Sequence, residues 1–165
     1  MQNVMNKVLV VFMAFLLVVL TPFKPGFAAM DYAKQVLIES DFSNRDLRGV
    51  TFNLTNLLKA DLSGSDLEGA SLFGAKLQEA NLSNTNLRDA TLDSAILEGT
   101  DLTNAVLEDA FAFNTRFKDV IITGADFTNV PVRGDVLNTL CSVAEGSNPI
   151  TGRKTFETLE CDQGI

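Results

Sequence analysis

From Phe42 to Val132 an apolar residue returns at every fifth position without one insertion, and sixteen of the nineteen centres are Leu or Phe. A step of five matches neither the 3.6 residues of a helix nor the 2 of a strand, so a repeat architecture must be considered before any local element. Two residues before each centre the chain is small, as at Ala60, Ala70, Ala75, Ala80, Ala90 and Ala95, and Arg45 is the one large exception. Asp, Asn, Ser or Thr precedes most centres, and Gly, Asn or Asp often closes the unit. These residues bond their own backbone or accept positive φ at low cost. Each unit is therefore a short extended piece followed by a bend, with one large and one small side chain pointing inward. Equal bends in one direction make a coil, with Leu82 inside it and Arg88 on its outer surface.

The units "ADLSG", "SDLEG", "ANLSN" and "TNLRD" resemble those of the pentapeptide-repeat family. The resemblance implies an all-β fold, a right-handed quadrilateral β-helix with four repeats per coil; short helical caps at both ends are expected from the residues that flank it. Leu62, Leu82, Leu102 and Ile122 would then stack in one column. The β-helix is expected over 40–134. Its open edges would template aggregation unless covered, so 29–39 is read as an N-terminal helical cap, with Asp31 capping it and Tyr32, Val36 and Leu37 facing the first coil. Residues 135–165 are read as a C-terminal cap: a helix from Asp135 stopped near Gly146, a turn at "SNPITG", and a returning "KTFETLEC".

Residues 1–28 have the layout of a signal peptide, with Lys7, thirteen apolar residues from Val8 to Leu20, and the breakers Pro22, Pro25 and Gly26. Cleavage is expected after Ala28 or Ala29. Thirteen apolar residues fall short of the roughly 18 to 20 that span a bilayer, so no membrane attachment is expected once the segment is removed. Its loss takes away Lys7 and Lys24 and no acid, moving the formal charge from -8 to -10 (11 basic against 21 acidic). So acidic a chain is a poor partner for nucleic-acid phosphates. In an exported chain the even pair Cys141 and Cys161 reads as a disulfide. The tail "LCSVAEGSNPITGRKTFETLEC" resembles that of a thylakoid-lumen subgroup of the same family, found in cyanobacteria and plants. A plant protein would need a longer transit region, so the lumen of a cyanobacterium is the expected compartment and the periplasm the alternative.

The chain has no histidine, which removes the commonest general base and most zinc sites. No catalytic residue, cofactor or metal is expected. Asp41, Asp61 and Asp101 fall in one column and Asp46, Asp66 and Asp126 in another, but carboxylates on an outward face diverge and read as turn formers. Phe73, Ile96, Val106, Phe111 and Phe113 are expected to point outward around the small centre Ala112, either docking the tail or meeting a partner protein. The expected function is a non-enzymatic exported scaffold that binds an unknown protein. Two alternatives stay open: an acidic nucleic-acid mimic acting on an enzyme such as DNA gyrase, and a disulfide-switched lumenal protein. The oligomeric state is not legible.

Overall fold

The computed structural model describes residues 30–163, so the signal segment and its cleavage positions at Ala28 and Ala29 lie outside the described residues. Every pairing in the repeat joins residues twenty apart and parallel. One column runs Asp31, Thr51, Ser71, Thr91, Phe111, and a second Asp41, Asp61, Asn81, Asp101, Ile121. A third joins Val36, Asn56, Lys76, Ile96 and Arg116, and the fourth Asp46, Asp66, Asn86, Val106 and Asp126. Four columns of five residues, each joined by four pairings, make a four-sided β-helix of five coils. Only two rungs lengthen into three-residue strands, β1 (Ile96–Glu98) and β2 (Arg116–Lys118), paired with each other.

The chemistry of the five-residue unit explains the coil. Leu62 N–H donates to Asn81 C=O at 2.8 Å and Asn81 N–H to Ala60 C=O at 3.0 Å, so each rung closes a pair of hydrogen bonds between coils. The polar residue before the centre folds over its own corner: Asp61 Oδ1 accepts from Ser63 N–H, Asn81 Oδ1 from Ser83 N–H, and Asp101 Oδ1 from Thr103 N–H. Two residues after the centre the backbone turns left-handed, at glycines such as Gly64 but also at Leu54, Lys59 and Glu79. Inside, the leucines from Leu47 to Leu107 and the alanines beside them are fully buried. Where threonine replaces alanine its hydroxyl is satisfied by the coil below, as from Thr85 to Leu62 C=O and from Thr100 to Leu77 C=O.

The ends of the interior are plugged by aromatic rings. Tyr32 stacks on Phe52 at 5.1 Å, and Phe42 meets Phe52 edge-on at 5.4 Å. At the far end Phe117 and Phe127 pack at 6.2 Å. Arg45, the residue that breaks the small-residue rule, is exposed and lies over the Phe42 ring.

The N-terminal helix expected over 29–39 does not form. Residues 31–40 form the first two sides of the first coil, with Tyr32, Lys34, Leu37 and Glu39 donating to the carbonyls of Thr51, Asn53, Asn56 and Leu58. A helix would satisfy its own amides and leave those four carbonyls unpaired. The helical spacing of Tyr32 and Val36 is overridden by the demand of the coil above. Asp31 still bonds Ala33 N–H, but as a corner residue rather than a helix cap.

At the other end Pro131 has no N–H to continue the ladder, and the chain leaves it for α1 (Gly134–Cys141). Asp135 lies in the first turn of α1, whose N-cap position is Arg133, and the helix ends at Cys141 rather than near Gly146. Ser147 and Lys154 then pair antiparallel around the 148–153 turn. The one-turn α2 (Thr155–Thr158) and a 3-10 turn (Cys161–Gln163) follow. Cys161 is bonded to Cys141, their Cα atoms 5.7 Å apart.

Candidate functional site

The tail does not cover the phenylalanines. It crosses the Asp126 column instead, through two polar anchors. Asn148 is buried and its Nδ2 donates to the carbonyls of Asn104, Ala105 and Gly124 at 3.1, 3.2 and 2.9 Å, while its Oδ1 accepts from Ile150 N–H and Thr151 N–H. Arg153 reaches Asp126 Oδ2 at 2.7 Å and Glu108 Oε1 at 2.9 Å. The guanidinium thus spans two rungs, and Val106, which precedes Glu108 on the lower rung and pairs with Asp126 on the upper, has no exposed surface. The expectation that Val106 points to solvent is corrected by this crossing.

Burial raises the Asp126 carboxyl, but hydrogen bonds from Thr128, Thr151 and Arg153 outweigh it and hold it below the usual aspartate range. Glu108 is likewise lowered by hydrogen bonds from Arg153 and Arg88. Arg88 meets Glu108 at 3.2 Å, and lower on the same face Asn86 Nδ2 donates to Asp66 Oδ1 and Arg48 bonds Asp46. This face is a polar ladder that locks coils and tail together.

The Phe111 face is different. Phe111 is 52 % exposed, Phe113 47 %, Phe73 43 %, and Leu54, absent from the sequence expectation, 52 %. Ile96 belongs to the next face and is half-buried within β1, so it does not join the patch. Between Lys34 and Asn129 every corner has a left-handed residue two after its centre except the corner at Ala112, where Asn114 has no positive φ. Asp93 explains the departure: its Oδ1 accepts from both the backbone N–H and the Nδ2 of Asn114 at 3.1 Å. That anchor sets the corner from which Phe111 and Phe113 project.

The acidic columns are engaged in their corners. Asp41 is lowered by the Ser43 backbone and hydroxyl, and Asp46 is lowered to about 2 by Arg48. Among the described residues no group of carboxylates or cysteines converges in a way that could hold a metal ion.

A four-sided parallel solenoid of five-residue units, closed by a disulfide-bonded tail, defines a class of repeat protein. Residues 36–72 and 70–109 match the pentapeptide repeats family in eight copies. Among solved structures, a pentapeptide repeat protein from the thylakoid lumen of Arabidopsis thaliana is 42% identical, with a TM-score of 0.65 over 81% of this chain and 86% of that one. The chain belongs to the pentapeptide-repeat family and resembles its thylakoid-lumen members. Over 49 residues it is also 55% identical to the Arabidopsis thaliana thylakoid lumenal 15 kDa protein 1, chloroplastic, a match to 30% of this chain and 22% of that protein. The chain thus spans about a fifth of the length of that relative.

Proposed function

We propose that the chain is a non-catalytic, exported protein of the thylakoid lumen that acts as a rigid scaffold and presents one face to another protein. The observation that carries this reading is the exposed apolar set Leu54, Phe73, Phe111 and Phe113 on a single side of a solenoid whose backbone is tied at every rung. A monomer seldom exposes contiguous apolar surface without use for it. The lumenal location rests on the signal-like segment 1–28 and on the lumenal relatives. The absence of histidine and the pairing of both cysteines support a non-catalytic role. No helix among the described residues is long and apolar enough to cross a membrane.

Fractionation of native cells followed by cross-linking of the tagged protein in its own compartment tests the proposal. The expected result is a lumenal protein joined to a second polypeptide through the Phe111 face. Recovery from the cytosol would sink the location, and cross-links distributed over all four faces would sink the scaffold. Protection of DNA gyrase in a supercoiling assay would favour the nucleic-acid mimic instead.

A further inference from the structure

We infer that the Phe111 face recognises a basic segment of its partner, with one lysine or arginine seated on Asp93 between Phe73 and Phe113 and apolar neighbours lying on Phe111 and Leu54. This inference rests on the scaffold reading and adds the chemistry of the partner.

Three observations carry it. Phe73, Asp93 and Phe113 occupy the same position in three consecutive coils, so an acid stands between two aromatic rings at rung spacings of about 4.8 Å. A cation held by a carboxylate gains further from aromatic faces beside it, and the stem of a long basic side chain packs on the same rings.

Next, Asp93 is the only charged side chain that the upper four coils place on this face, in 51–55, 71–75, 91–95 and 111–115. In the same four coils each of the other three faces carries at least two. The first coil adds Asp31 and Lys34 at the foot of the face, below Leu54, but among Phe73, Phe111 and Phe113 Asp93 stands alone and specifies the sign of whatever covers it, because a covered carboxylate without a counter-charge is strongly unfavourable. Asp93 is also already oriented, with Oδ1 bonded twice to Asn114. Oδ2 has only the Ser94 hydroxyl at 3.2 Å, and a carboxylate oxygen can accept more than one donor.

The third observation is charge. A formal charge of -8 attracts a basic partner and repels a second copy. Two copies meeting on this face would also bring two Asp93 carboxylates into one apolar contact.

The test uses the full chain and an array of short synthetic peptides in which a lysine or arginine flanked by leucine or phenylalanine is exchanged in place for glutamate, glutamine or alanine. Peptides with the basic residue should bind, and exchange to glutamate should weaken them by about tenfold or more. Asp93→Asn should remove the preference for lysine over glutamine while Phe113→Ser weakens all binding peptides, and Thr103→Ala on another face should leave binding unchanged. Equal binding of basic and acidic peptides, or a preference that survives in Asp93→Asn, would overturn the inference. So would failure of every peptide to bind, or a concentration-dependent dimer of the native chain that Phe113→Ser abolishes. Cross-linking of native protein through this face to a partner segment without basic residues would overturn the inference and leave the scaffold reading standing. Cross-links on all faces would remove both.

Discussion

Arg153 Nε lies 2.7 Å from Asp126 Oδ2, joining a residue of the tail to a fully buried carboxylate on the fifth coil. Arg153→Ala leaves Asp126 with only the threonine hydroxyls and Thr128 N–H. The expected loss is about 2 to 4 kcal/mol, less than a fully buried pair because Arg153 is partly exposed. Chemical denaturation of the two proteins measures it, and an unchanged midpoint would count against the latch.

The same pair sets the response to acid. The Asp126 and Glu108 carboxyls are depressed below their ordinary 3.8 and 4.5 in the folded protein. A depressed carboxyl contributes stability that is fully present above its unfolded value and lost as pH falls through the folded one. The melting temperature should therefore be nearly level from about pH 7 to 5 and fall below about pH 4. Arg153→Ala should show a shallower acid limb, which a pH series of thermal melts reads directly.

Asn148→Ala removes a buried amide that serves three carbonyls. The expected cost is about 2 to 3 kcal/mol. Hydrogen exchange should locate it, with faster exchange at Gly124 N–H and Thr155 N–H, which bond to Glu145 and Gly146 of the tail, and little change at Leu62 N–H.

Leu82→Ala opens a cavity in the middle of the stack and should cost about 2 to 5 kcal/mol. Lys59→Ala breaks an exposed 3.6 Å pair with Glu79 and should cost under about 1 kcal/mol. Equal melting temperatures would refute the register.

Gly69 and Gly124 both sit at left-handed corners, at φ 65 or thereabouts, yet only one is crowded. A Cβ on Gly69 meets nothing, whereas one on Gly124 runs into Asn104 Oδ1 and comes within 3.1 Å of the Ser147 carbonyl. Gly69→Ala should cost about 1 kcal/mol and Gly124→Ala about 2 or more, since the second must also displace the tail. Thermal melts of the pair test this.

The site was only partly legible. Phe73, Phe111 and Phe113 stand out because the five-residue frame dictates which positions face outward. Leu54 escaped because the frame places a turn residue there, and nothing local says that a leucine will accept φ 57. Val106 follows the same outward rule but is buried, because Arg153, forty-five positions beyond Glu108, folds back across its column. The Asp93 anchor of Asn114 likewise joins residues twenty-one apart, so no short window contains it.

The sequence by itself determined the step of five, the inward leucines and alanines, the bends between them and the pairing of the two cysteines, since each depends on residue chemistry within one unit or on a count of two. Tertiary structure decided the rest. It drew 31–40 into a first coil against its helical spacing, because the carbonyls of the second coil needed donors. It also chose which outer face the tail would close and which would stay open, because that choice rests on hydrogen bonds and ion pairs between residues that only the stacked coils bring together.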